Sequence, residues 1–266
     1  MSTVASLTYV TAKTTDGKKH WVEGGVTEGR SNFTEENHRL TIHDLSDPAT
    51  ELKPSLDVNG FEVVSHAAVE KDFLNEEAIK SGYYKEMEEF LKGHTGASRI
   101  FLFDHTIRKP NTLRGPYPRV HVDQTTKAAY KRVEKHLPEL ASSLIQKRFQ
   151  IINMWRPIEN PAYKHPLAFA DFSSVDVKQD SFATDRIDLD NPGVEPGETV
   201  ALAYNEAHRW YYHKDLATDQ VVLIKCFDSD GTVATFSPHT AFVDDQSDPS
   251  KPERQSIELR ALVFYD

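Results

Sequence analysis

The chain has 266 residues, 38% of them hydrophobic and 27% charged, which is the composition of an ordinary globular protein able to bury a sizeable core. Its net charge of −10, with no block of basic residues, argues against a nucleic-acid surface, and no apolar run approaches the roughly 20 residues that cross a bilayer. A lone cysteine, Cys226, rules out an internal disulfide and thiolate zinc clusters; together with an N-terminus that lacks a signal-peptide pattern, it makes the cytoplasm the expected compartment.

Residues 6–12 alternate and are rich in β-branched side chains, which predicts a strand, and the polar stretch after them reads as a turn. Glu35 to His43 reads as a second short strand at an edge, and the Asn59-Gly60 turn leads into another at 61–64. From Glu70 to Lys92, Phe73, Ile79, Tyr83, Met87, Phe90 and Leu91 recur at helical spacing, and His94-Thr95-Gly96 ends the helix. A short apolar strand at 99–104 is followed by a Pro/Gly-rich loop at 109–118 that delivers the chain to Arg119-Val120-His121-Val122-Asp123-Gln124.

Thr125 or Thr126 can cap a helix to about Lys147, with Pro138 kinking or splitting it. Strand-like runs then fall at 149–155, 167–172, 198–204, 221–227, 233–237 and 256–265, separated by turn signals such as Asn191-Pro192-Gly193, Pro196-Gly197 and Asp228-Ser229-Asp230-Gly231. Many short strands with regular turns predict an α+β, mainly β architecture: a double-sheet jelly roll with helices packed on one outer face. One domain spans 1–266, with 1–98 supplying N-terminal strands and a helix and 99–266 the jelly-roll core.

Side chains at i and i+2 of a strand share a face, so His121 and Asp123 present an imidazole and a carboxylate to the same side. With a second histidine they would form the 2-His-1-carboxylate triad of non-haem Fe(II) oxygenases. Twelve histidines and 41 acidic residues make about two His-x-Asp/Glu matches expected by chance, and the chain has another at His213-Lys214-Asp215, which reads as a solvated surface cluster. His239, at the end of a late strand, is the best third ligand, with His208 as a rival. Arg254 and Ser256, again at i and i+2, suit the anchoring of a 2-oxo acid: a guanidinium grips a carboxylate bidentately and a hydroxyl adds a bond. Lys225 and Arg260 are alternatives for that anchor.

Six segments in one order carry a resemblance: Arg-Val-His-Val-Asp-Gln (119–124), Ile-Ile-Asn-Met-Trp-Arg-Pro-Ile (151–158), His-Arg-Trp-Tyr-Tyr (208–212), Leu-Ile-Lys-Cys-Phe-Asp-Ser (223–229), Pro-His-Thr-Ala-Phe (238–242) and Arg-Gln-Ser-Ile-Glu-Leu-Arg-Ala-Leu-Val-Phe (254–264). Together they resemble a fungal hydroxylase/desaturase family of the gibberellin desaturase type, similar to the cephamycin 7-methoxylation component. The resemblance implies a double-stranded β-helix (cupin-like) fold and an Fe(II)- and 2-oxoglutarate-dependent dioxygenase that uses O2 to hydroxylate or desaturate a small molecule, commonly in secondary metabolism. It implies His121, Asp123 and His239 as iron ligands and Arg254 with Ser256 as the 2-oxoglutarate anchor.

Around this site, Asn153 is a candidate for an amide bond to the oxo acid, and Arg119, His208, Trp210 and Tyr212 are candidates to line the substrate pocket. The alternative reading is a metal-binding cupin-like isomerase or binding protein that does not use 2-oxoglutarate; it has no need of Arg254. The expected partner is a small-molecule substrate, without nucleic acid or membrane, and a homodimer is allowed.

Overall fold

The computed structural model describes residues 2–24, 29–110, 115–191 and 193–266. Part of the expected 109–118 loop (111–114) and Pro192 of the Asn191-Pro192-Gly193 turn lie outside these residues. In chain order the strands are β1 (Thr3–Val10), β2 (His20–Gly24), β3 (Glu35–Asp44), β4 (Phe61–Ser65), β5 (Arg99–Arg108), β6 (His121–Val122), β7 (Phe149–Pro157), β8 (Leu167–Ala170), β9 (Ser181–Asp188), β10 (Gly197–Leu202), β11 (Trp210–Tyr212), β12 (Gln220–Asp228), β13 (His239–Ala241) and β14 (Ser256–Phe264). Helices include α1 (Glu76–Ala78), a π-helical turn Ile79–Tyr83 that joins it to α2 (Tyr84–Thr95), α3 (Thr126–His136) and α4 (Ala141–Leu144).

These strands make the two sheets of a jelly roll. One has nine strands in the order β1-β3-β11-β8-β13-β6-β10-β9-β2, the other five in the order β4-β12-β7-β14-β5. Strands on both sides of residue 98 share these sheets: β1, β2 and β3 extend the larger, and β4 pairs with β12 in the smaller. The N-terminal segment is therefore woven into the roll and is not a separate layer beside it. β3 runs ten residues between β1 and β11, so the edge position belongs to β1.

The central strand β7 is buried along its whole length, because each face of the smaller sheet is covered. Ile151 packs inward with Val122, Ala168 and Leu202 of the larger sheet. Ile152 and Met154 point outward beneath Ile79, Tyr83, Met87 and Leu91 of the helical run. That helical cover is the expected outer layer. Its start lies later than the apolar spacing suggests, since Asn75 caps the first turn through the amides of Glu77 and Ala78. Phe73 is buried against the helix as part of the preceding turn. Gly96, at φ 69°, supplies the left-handed stop.

The second helix departs from the expected layout. α3 carries its buried Ala129 and Val133 into the core between the sheets, where Tyr130 meets Phe149 at 5.0 Å. Pro138 splits the expected helix: α3 ends at His136 and α4 resumes at Ala141.

Two features position the late strands. Gly60 has φ 83°, and a Cβ there would lie 2.4 Å from the carbonyl oxygen of Phe236, so this turn admits no side chain as it passes the segment leading to His239. That segment, 233–237, is irregular, and the strand forms only at β13. Beside it, the fully buried Lys225 ammonium bonds Asp57 at 2.8 Å and Asp228 at 2.7 Å, and Arg148 and Gln150 also bond Asp228. Burial pushes the Asp228 carboxyl up, but its bonds to Arg148, Lys225 and Gln150 outweigh this and hold it below the usual range. A carboxylate lowered on folding stabilises above its unfolded value and loses that contribution as pH falls through the folded one. Asp228→Ala is expected to cost about 3–5 kcal/mol in urea unfolding, because it leaves the buried Lys225 short of a partner; a loss under about 1 kcal/mol would show the pair to be incidental.

Candidate metal centre

His121 sits on β6 directly opposite His239 on β13, in an antiparallel pair. Directly opposed residues project to the same face, and the ring centroids are 4.4 Å apart. Asp123 follows two residues after His121 on that face. One ligand atom from each of the three residues lies within 4.8 Å of the others. The pre-strand segment is held in place where the Val120 amide donates to Thr8 of β1 at 2.9 Å.

Both rings are oriented through their far nitrogens. His121 Nδ1 lies 2.8 Å from the Arg119 carbonyl oxygen and His239 Nδ1 lies 3.1 Å from that of Ser237. A carbonyl only accepts, so Nδ1 carries a proton in each ring and Nε2 is the nitrogen that faces the site. Burial, and then the neighbouring His121, push His239 down to about 4, so it is unprotonated at neutral pH. Burial would raise the Asp123 carboxyl, but the contact with His121 and the charge of Arg260 hold it well below the usual range. Its Oδ1 is 3.3 Å from His121 Nε2 and its Oδ2 accepts from Asn153 Nδ2 at 2.7 Å. Two imidazole Nε2 atoms and a carboxylate on one largely buried face form a donor set suited to a divalent transition metal.

The expected anchor adjoins these donors. Arg108, Trp155, Arg254 and Glu258 line one narrow cavity with His121, Asp123 and His239. Arg254 is buried; one Nη1 bond goes to the His165 carbonyl and its guanidinium lies 5.4 Å from the Trp155 ring. No carboxylate pairs with it among the described residues, and neither its Nε nor the buried Ser256 Oγ has a hydrogen-bond partner. Burial, and then Arg108, push Arg254 down to about 9. A buried cation in this condition matches a bound carboxylate, and the hydroxyl two residues on is equally unsatisfied.

The rival anchors are committed elsewhere. Lys225 is held by Asp57 and Asp228. Arg260 pairs with Asp104 at 3.0 Å and donates to Thr106 Oγ1 at 2.7 Å. Glu258 was not singled out from the sequence, although alternation along β14 places it on the face of Ser256; burial, and then Asp123, raise its carboxyl.

The expected substrate-lining residues are not brought to this cavity. His208 is buried, with Nε2 3.0 Å from Asp180 and Nδ1 3.1 Å from the Tyr9 hydroxyl; this also removes it as a rival metal ligand. The Trp210 indole donates to Tyr9 at 2.7 Å, and Tyr212 packs on Phe242. Alternation correctly put these three on one face, but that face is core, where Tyr9 satisfies two polar groups. Arg119 turns to Glu35 at 2.9 Å and to the Tyr117 hydroxyl, and only its backbone oxygen serves His121. Asn153 donates an amide N–H to Asp123, a bond that orients the carboxylate, while its buried amide oxygen has no partner. Asn153→Ala is expected to weaken Mn(II) or Fe(II) binding about 10–100-fold, the usual cost of losing an outer partner of a ligand. An unchanged titration would remove that role.

Known proteins match this chain over nearly its whole length. A family model described as an oxidoreductase/YMDC permease-like domain matches residues 7–264. No helix among the described residues is long and apolar enough to cross a membrane. The chain is 30% identical to a hydroxylase/desaturase, efuI, of Hormonema carpetanum, over 92% of this chain and 91% of the relative. It is 30% identical to an Fe(II)/2-oxoglutarate-dependent dioxygenase, nvfI, of Aspergillus novofumigatus, covering 90% and 87%. A solved structure of an iron and alpha-ketoglutarate-dependent endoperoxidase, NvfI, superposes with a TM-score of 0.87 at 26% identity, covering 99% of this chain and 98% of that one. By sequence and by fold, this chain belongs to the Fe(II)/2-oxoglutarate-dependent dioxygenases of the fungal hydroxylase/desaturase family.

Proposed function

We propose that His121, Asp123 and His239 hold the Fe(II) ion, that Arg254 and Ser256 hold the far carboxylate of 2-oxoglutarate, and that the enzyme hydroxylates or desaturates a small molecule of fungal secondary metabolism. The observation that carries this reading is the buried guanidinium of Arg254, with no carboxylate within 4.0 Å among the described residues and an unpartnered Nε, in the cavity that the three donor side chains line. A cupin-like protein working without an oxo acid would bear the cost of that buried charge for no return.

Bound together, the iron and 2-oxoglutarate supply the oxidant for the substrate's C–H bond, with O2 consumed and the oxo acid leaving as succinate and CO2. The protein's part is placement. The Arg119 and Ser237 carbonyls fix the ring orientations of His121 and His239, and Asn153 fixes Asp123. Trp155 lies along one side of Arg254 and shields it from water. The cytoplasm and a small-molecule partner without nucleic acid fit the net charge of −10 and the lone, buried Cys226, and a homodimer is compatible with the reading.

Anaerobic addition of 2-oxoglutarate to the Fe(II)-loaded protein is expected to produce the visible charge-transfer band of a chelated 2-oxo acid, and admission of O2 to produce succinate. Iron bound at the site with neither band nor succinate would overturn the cosubstrate assignment.

A further inference from the structure

The narrow cavity at Arg254 is taken up by the cosubstrate in the reading above, so an organic substrate needs room elsewhere beside the metal. A cleft of about 280 Å³ provides it, and Asp123 lines both spaces. Six basic side chains and three carboxylates border this cleft, a local excess of positive charge on a chain whose net charge is −10. Lys127, Lys131 and Lys135 recur every four residues along α3, opposite its buried Ala129 and Val133, and Arg132 lies beside them.

A basic helix stripe is usually a solvated face, but the pairing here is uneven. Glu198 is taken by Lys19 and by the Thr125 hydroxyl, and Glu195 by Lys131. Arg132 and Lys135 have neither a carboxylate within 4.0 Å nor a side-chain hydrogen bond among the described residues. Arg132 is only partly exposed and lies 5.3 Å from the Phe103 ring centroid, which fixes its guanidinium at the cleft. Partial burial of an unpaired guanidinium is unfavourable until an anion meets it.

We infer that this cleft binds the substrate through a carboxylate, with Arg132 and Lys135 as its recognition pair. A single acidic group fits better than a dianion, because Glu195 and Glu198 also line the cleft. The cleft's field also concentrates anions next to the metal centre on a protein that otherwise repels them. This inference rests on the proposed iron and 2-oxoglutarate assignments for its meaning, but not for its measurement.

The probes are 3-phenylpropanoate and its neutral amide, titrated calorimetrically into the full-length protein with saturating 2-oxoglutarate and Mn(II). The acid is expected to bind about tenfold or more tightly than the amide, and the Arg132→Gln/Lys135→Gln double variant to lose about tenfold for the acid alone. Equal affinity of acid and amide, no binding of the acid, or a double variant indistinguishable from the parent would overturn the inference. Mn(II) is expected to broaden the proton resonances of the bound acid; binding without broadening would place the carboxylate away from Asp123 and overturn it too. Failure of Mn(II) itself to bind is a separate result that sinks the metal assignment, while the acid–amide comparison can still be read without it.

Discussion

His121→Ala and His239→Ala are each expected to abolish stoichiometric Fe(II) binding, weakening it by more than the ~10–100-fold that loss of an outer partner costs. Succinate formation should fall with it. The physical reason is that each variant removes one of two imidazole Nε2 atoms that the structure holds on the same face through backbone carbonyls. The fold should survive both changes, since neither ring is among the large apolar side chains that fill the core. Equilibrium dialysis with Fe(II) or Mn(II), alongside a thermal melt, separates the two effects. Full metal occupancy in a folded His239→Ala protein would remove that residue from the ligand set and reopen the assignment.

Arg254→Met is expected to move function and stability in opposite directions. Loss of the guanidinium removes one partner of a buried charge pair from the 2-oxoglutarate complex, a cost of about 2–5 kcal/mol, or at least ~30-fold in cosubstrate affinity. Without cosubstrate, the same substitution replaces a buried cation that burial and Arg108 have already pushed down to about 9 with an apolar chain of similar length. The apo protein should therefore be as stable as the parent or more stable, by about 1 kcal/mol or more. Titration of 2-oxoglutarate into the Fe(II)-loaded variant and a urea melt of the apo form give the two readouts. Unchanged 2-oxoglutarate affinity would overturn the anchor. A less stable apo protein would instead show that the bond to the His165 carbonyl and the stacking on Trp155 outweigh the burial cost.

Much of the site was legible because strand alternation is a strict rule. Spacing of two put His121 with Asp123, which the structure keeps at one cavity, and Arg254 with Ser256, which are both buried with an unpartnered polar atom. The same rule misled at 208–212. It correctly aligned His208, Trp210 and Tyr212 but has no means of saying whether the shared face meets a pocket or the core. Tyr9, two hundred residues away in sequence, turned that face into core by taking the Trp210 N–H and the His208 ring nitrogen. Asn153 shows a different limit. Its inward direction was readable, but its amide had two candidate partners, and the one it bonds, Asp123, comes from the opposite sheet.

The sequence by itself determined the local matters: helical spacing under Met87 and Leu91, the stop at Gly96, the break at Pro138, the mainly β character, and the residue types of the site with their order. Tertiary structure decided which strands became neighbours. It wove β1 to β4 into both sheets, set His239 opposite His121, occupied Lys225 with Asp57 and Asp228, and left Arg254 short of a carboxylate partner in the cavity that His121, Asp123 and His239 line. Pairings of this kind join residues up to 241 positions apart, as Thr3 and Asp244 are joined by a hydrogen bond. They are fixed by the joint burial of two faces, a property of the assembled sheets that no single stretch of the chain contains.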